Sequence, residues 1–372
     1  MSQKKLKILT IVGARPQFIK AAMVSRAIFE HNHLGHQPHI VEEIVHTGQH
    51  YDENMSDIFF EQLQIPEPIV NLNAGAGMHG EMTGRMLLEI EKEVVVRKPD
   101  LVLVYGDTNS TLSGALAAAK LNVPVAHVEA GLRSFNKRMP EEINRILTDH
   151  VSSLLLCPTR KALANLSNEG ITRGVHHVGD VMYDAALMFK KIADKKSNIL
   201  QDLSLSEKSY ILSTIHRQEN TDVLDRLENI LRAFSAIASK ECQLVLPLHP
   251  RTKKCIDKFN LWPLISENEN VMVIKPVSFL DMVQLENKAK VIMTDSGGVQ
   301  KEAYFHKVPC VTLRDETEWI ETVEAGWNQL AGADFNSIQS AFETAKAGVG
   351  ILDYGNGQAS KKIVDCLVKN GM

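Results

Sequence analysis

Short apolar runs bounded by Gly, Pro, Asp or Asn recur along this chain between longer amphipathic segments, and that alternation limits the folds open to it more than any other feature. The runs are LKILTIV, IVHT, LVLVYG, VPVAHV and LLLCP in the first half, then YILSTI, QLVLPL, VMVIKP, KVIMTD and PCVTLR in the second. Such a rhythm predicts parallel sheets whose strands are joined by crossover helices. At 372 residues the chain exceeds what one hydrophobic core usually supports, so two doubly wound α/β domains are expected. The junction is expected near residues 182 to 207, where an apolar helix passes into a Lys-, Asp- and Ser-rich stretch. The end of the chain, GQASKKIVDCLVKNGM, sets Ile363, Val364, Cys366, Leu367 and Val368 on a roughly helical stripe, which should dock on a domain surface.

The start, MSQKKLKILTIVGARP, has the basic-then-apolar order of a signal peptide. Its apolar run is only about six residues and ends in Gly-Ala-Arg-Pro, so it reads as a first buried strand. No stretch approaches the roughly 18 apolar residues of a membrane span. The five cysteines are scattered and form no C-x-x-C pair, which fits a reducing compartment, and a cytoplasmic location is expected. A formal charge of −4 argues against a broad nucleic-acid-binding face, so any anion recognition must be local.

Ligands of open parallel sheets sit beyond the carboxyl ends of the strands, and two such domains facing one another make a cleft. The polar residues that end each run are therefore the candidates. In IVGARPQFIK a strand ends at Gly13 and a helix begins with Arg15 and Lys20; the exposed N–H groups of its start would favour an anion, with an ordinary turn as the alternative. The segment lacks G-x-G-x-x-G and gives no support to a nicotinamide or flavin. In VYGDTNSTLSG, Asp107 is either a helix cap or a chemical group. Glu129 in HVEAGLR follows a strand directly and either faces the cleft or pairs with Arg133. MPEEINR opens a helix whose first turn suits Glu141 and Glu142.

In the second half His216 and Arg217 follow one strand, and His249 and Arg251 another. No further ligands stand at zinc spacing, so His216 reads as a phosphate contact or a structural histidine. TDSGGVQKEA is the strongest element there. Ser296-Gly297-Gly298 lets backbone N–H groups approach a phosphate, and Glu302, a turn further on, could accept from ribose hydroxyls.

Taken in order, GARPQFIK, TGQH, YGDTNST, HVEAGLR, MPEEINR, HRQEN and TDSGGVQKEA resemble the non-hydrolysing UDP-N-acetylglucosamine 2-epimerase family almost end to end. The resemblance implies a glycosyltransferase-B-like architecture: two Rossmann-like domains facing a cleft, with a C-terminal helix crossing back to the first. Residues 1–185 with 355–372 would carry the acid/base carboxylates, and 186–354 would bind the nucleotide. It further implies a homodimer, a UDP-sugar substrate with UDP released in passing, no cofactor and no metal, no nucleic-acid partner and no membrane insertion. Asp107, Glu129 and Glu141 match the family's acid/base positions and His216 its phosphate-side histidine. Arg15, Lys20, Arg145, Ser296, Gly297, Gly298 and Glu302 match substrate-binding positions, and Gln49 a regulatory pocket. Two departures stand out: Trp319 replaces an arginine of some members, and Asp52 replaces a glutamine of regulated ones.

The implied reaction interconverts UDP-GlcNAc and UDP-ManNAc through loss of UDP to a 2-acetamidoglucal, and it would feed capsule or cell-wall polysaccharide synthesis. It asks for a base and an acid on opposite faces of C2 and a clamp for the leaving diphosphate. Crowding of like charges is expected to raise one carboxylate's pKa. Rival readings are an epimerase of UDP-2,3-diacetamido-2,3-dideoxyglucuronate, a glycosyltransferase of the same architecture, and a non-catalytic nucleotide-sugar sensor.

Overall fold

A computed structural model of the chain describes residues 5–49 and 66–370. All ten apolar runs form strands, and these build two sheets in which every pairing is parallel. The first holds β1 (Lys5–Val12), β2 (His39–His46), β3 (Val70–Asn71), β4 (Leu101–Tyr105), β5 (Val125–Val128), β6 (Leu154–Cys157) and β7 (Val175–His177), in the order β3-β2-β1-β4-β5-β6-β7. The second holds β8 (Tyr210–Thr214), β9 (Gln243–Pro247), β10 (Val271–Ile274), β11 (Val291–Thr294), β12 (Cys310–Thr312) and β13 (Asn328–Leu330), in the order β10-β9-β8-β11-β12-β13. In each sheet the strand order reverses beside the first strand, the doubly wound arrangement that places loops for ligands at the carboxyl edge.

The chain divides into two compact units: residues 1–185 with 352–372, and residues 186–351. The division falls inside a helix, α6 (Val181–Lys196), upstream of the polar stretch.

In the first unit β4 is buried along its whole length, as a central strand covered on both faces must be. One face packs Leu9, Ile11, Val102 and Val104 against α2 (His79–Arg97) and α3 (Asn109–Lys120). Helix α3 is rich in alanine and lies close to the sheet. A Cβ on its Gly114 would sit 3.1 Å from side-chain carbons of both Ile11 and Val104, so a larger residue would force the layers apart. The C-terminal stripe forms α16 (Ala359–Asn370), which packs on α1 (Arg15–His33) of the same unit. Ile363, Val364 and Leu367 are buried there, while Cys366 and Val368 are only half-buried. The Asp184 carboxylate accepts from Ala359 N at 3.0 Å and from Ser360 N and Oγ at 2.7 Å each, satisfying the start of α16.

In the second unit the period-two alternation of β8 sends successive side chains to opposite faces. Ile211 joins Leu244, Leu246 and the buried side of α9 (Leu224–Ile237). Leu212 joins Val245, Leu285 of α12 (Phe279–Lys288), and Ala303. Among the described residues, no helix is long and apolar enough to cross a membrane.

Candidate active site

Strands β4 and β5 are neighbours with Tyr105 opposite Val128, so Asp107 and Glu129 leave the same sheet edge one or two residues beyond it. Glu129 has φ +75°, a left-handed conformation that a non-glycine residue holds only where its surroundings fix it. Its carboxylate takes a hydrogen bond from Lys20 Nζ of α1, and both side chains are largely buried. Arg133, one of the two alternatives the sequence offered for Glu129, donates to Asp149 Oδ2 at 2.7 Å and grips Glu169 through two bonds of 2.7 Å. Its planar fork is used up in structure.

Asp107 does not cap α3. Thr108 does, its hydroxyl accepting from Thr111 N, and this leaves the Asp107 carboxylate to Arg145 Nη2 of α4 (Pro140–Val151). Arg145 Nη1 donates to Glu142 Oε2 at 3.1 Å. Glu142 is buried and also accepts from Ser134 N (2.9 Å), Ser134 Oγ (3.0 Å) and Phe135 N (2.9 Å). Of the two adjacent acids, then, Glu142 turns inward to the guanidinium that holds Asp107, whereas Glu141 lies exposed on the first turn. Asn144, unremarked in sequence, donates to the Asp107 carbonyl at 3.0 Å. Asp107 and Glu129 each meet a cation.

The start of α1 also differs from expectation. Gln17 Oε1 accepts from the N–H groups of Gly13 (2.8 Å) and Ala14 (3.0 Å), and Pro16 has none to offer. Two of the donors expected to meet an anion are therefore engaged by Gln17, and Arg15 stands half-buried beside them. Gln49 Oε1 accepts from Ser110 Oγ at 2.6 Å, tying that residue to the beginning of α3. Asp52 and His50 lie outside the described residues.

In the second unit the fully buried Asp295, at the end of β11, accepts from His216 N (3.1 Å), Arg217 N (3.0 Å) and Asn220 Nδ2 (3.2 Å). The His216 ring stays 41% exposed, with Nδ1 3.5 Å from Asp295 Oδ1 and its centroid 5.6 Å from that of His249. His249 Nδ1 accepts from Arg251 N at 3.2 Å as the cap of α10 (Pro250–Phe259). Burial, His216 and Arg251 together push the pKa of His249 down. Asp295 sits inside the TDSGG block, where its place at a strand end is the one signal that could have singled it out.

Ser296 caps α13 (Gly297–Phe305), and Glu302 follows one turn after Gly298. The two glycines do different work. A Cβ at Gly297 would collide with the Glu318 carboxylate, while at Gly298 the nearest atom is Ser296 Oγ at 3.8 Å. The space beside Gly298 is thus open, and Gly297 makes room for Glu318. Burial pushes the Glu318 carboxyl up, but Arg314 and Arg217 outweigh it and hold the group below its usual value. Trp319, which stands where some members of the family have arginine, is buried and donates from Nε1 to Gly297 O at 2.7 Å. Lys301 Nζ lies 4.1 Å from its ring centroid, a cation–π contact that fixes the indole against the turn.

A family profile described as UDP-N-acetylglucosamine 2-epimerase matches residues 32–368. The chain belongs to this family. A Methanococcus maripaludis protein named UDP-N-acetylglucosamine 2-epimerase homolog is 54% identical over 97% of this chain and 99% of its own length. A UDP-2,3-diacetamido-2,3-dideoxy-D-glucuronate 2-epimerase of Pseudomonas aeruginosa is 53% identical over 98% of this chain and all of its own. Among solved structures, the Methanocaldococcus jannaschii UDP-GlcNAc 2-epimerase in complex with UDP-GlcNAc and UDP superposes with a TM-score of 0.84 at 45% identity, covering 98% of this chain and 100% of that one. Members of the epimerase family are isomerases, and the two parallel α/β sheets described above are this family's architecture.

Proposed function

We propose that this chain interconverts UDP-GlcNAc and UDP-ManNAc, with Asp107 and Glu129 transferring the protons at C2. The hydrogen on C2 is not next to a carbonyl of the ring, so its removal alone would leave an unstabilised carbanion. The difficulty is removed if the C2–H electron pair becomes the C1=C2 bond as the C1–O bond breaks and its pair leaves on UDP. The reverse addition, with the proton delivered to the other face of C2, gives the epimer. The sequence is redox-neutral and balances without a co-reactant.

The observation that carries this reading is the pair of carboxylates at adjacent strand ends, each held by its own buried cation: Glu129 by Lys20 and Asp107 by Arg145. Held acids and bases of this kind contribute about 10²–10⁴-fold each, and preorganised donors to a leaving anion about 10²–10³-fold. In the second unit His216, Ser296 and the Gly298 N–H would hold the diphosphate and Glu302 the ribose; in the first, Arg15 would contact the substrate and Gln49 would belong to a regulatory pocket. Incubation with UDP-GlcNAc in heavy water tests the proposal. Inversion with deuterium at C2 is expected; inversion without exchange at that carbon would overturn it.

The relative from Pseudomonas aeruginosa favours a second reading, that UDP-2,3-diacetamido-2,3-dideoxyglucuronate is the preferred sugar. Side-by-side kcat/KM values for the two nucleotide sugars decide between them. The proposal extends to a homodimer that supplies precursors for a capsule or cell-wall polymer. Leu88, Val95 and Val96 of α2, exposed at 52%, 54% and 75%, support a face that a second copy would cover. The molar mass from light scattering should be twice that of the chain.

A further inference from the structure

His127 lies on β5, two residues before Glu129, with its side chain wholly buried. Its Nδ1 is 2.7 Å from Asp149 Oδ1 and its Nε2 is 2.7 Å from the carbonyl oxygen of Gly106, the residue before Asp107. A carbonyl oxygen can only accept, and so can an ionised carboxylate. Asp149 is ionised by its surroundings: Oδ2 accepts from Gly131 N at 3.0 Å and from Arg133 Nη1 at 2.7 Å. A neutral imidazole carries one N–H and one lone pair, so it would aim a lone pair at one of two acceptors only 2.7 Å away.

Asp149 is wholly buried beside Arg133, whose other partner, Glu169, is exposed to solvent. Cys157 also faces this carboxylate, but burial and then Asp149 push that thiol far up, and it adds no charge.

We propose that His127 is an imidazolium that donates from both nitrogens, and that it acts as a positioning residue binding the turn of Asp107 to the turn of Glu129. One N–H fixes the Gly106 carbonyl. The other fixes Asp149, which in turn holds Gly131, two residues beyond Glu129. The positioning role rests on the reaction proposed above; the protonation state does not.

A neutron crystal structure of the wild-type chain in deuterated buffer at pH 7 reads the ring directly. Deuterons on both Nδ1 and Nε2 of His127 are expected, and a single deuteron would overturn the assignment. The His127→Gln variant, which keeps one donor and adds no charge, should lose on the order of 10²-fold in kcat, as expected for a small misplacement of reacting groups, with KM within about twofold. A folded variant with full kcat would overturn the positioning role. Should that variant fail to fold, the count of deuterons on the wild-type ring still upholds or overturns the proposal. A wild-type chain inactive on both UDP-sugars would sink the proposed reaction while leaving the ring's two deuterons as evidence for its charge.

Discussion

Single side chains set the limits of the second unit's glycine turn. Gly297 is needed because Glu318 occupies the space a Cβ would take, whereas Gly298 has room. Gly297→Ala should therefore destabilise the chain by about 1–3 kcal/mol, the usual range for overpacking. Gly298→Ala should change stability little and raise KM for the nucleotide sugar instead. Urea unfolding and steady-state kinetics on both variants check this, and equal behaviour of the two would be inconsistent with the geometry. From sequence both glycines looked alike, since the block TDSGG says nothing of Glu318, which arrives from a loop after β12. The choice between Glu141 and Glu142 was hidden for the same reason. Each stands at a helical spacing from Arg145 that permits a contact, and the N–H groups of Ser134 and Phe135 decide in favour of Glu142. Asp107 and Glu129 were legible as candidates because they directly follow long apolar runs; their cations were not, because Lys20 and Arg145 come from helices whose placement depends on the sheet order.

At the level of elements, the long strands declared themselves and the short ones did not. β3, β7 and β13 have two or three residues each, and of all these only Asn328 is fully buried, so no apolar run marks them. They extend sheet edges, where pairing with an existing neighbour rather than intrinsic preference creates the strand. Helices bring their own chemistry to this level. The turn after α13 carries His306, which is buried and whose pKa is pushed down to about 3, by burial first and then by Lys190 and Lys208; Glu286 of α12, 3.8 Å away, does not offset this. The unfolded chain takes up this proton near 6.5 and the folded chain does not, so the stabilisation is fully present above 6.5 and is lost progressively as pH falls towards 3. Urea midpoints measured across that window should fall less steeply for His306→Gln than for the parent; parallel curves would show that the ring does not contribute.

For the molecule as a whole, the first unit is made from two separated pieces of chain, 1–185 and 352–372. The stripe at the C-terminus was readable as a helix with an apolar side, but its choice of α1 was not, since an amphipathic stripe does not name the surface it covers. Deleting residues 352–372 should expose the amides of α1 and β1 to hydrogen exchange while leaving those of β8 and β11 protected, because α16 packs on α1 and belongs to the first unit. Equal loss of protection in both units would contradict the division. The same discontinuity orders events during synthesis. Residues 352–372 are translated after the whole of the second unit, so the uninterrupted 186–351 segment can finish folding while the first unit still waits for its closing piece.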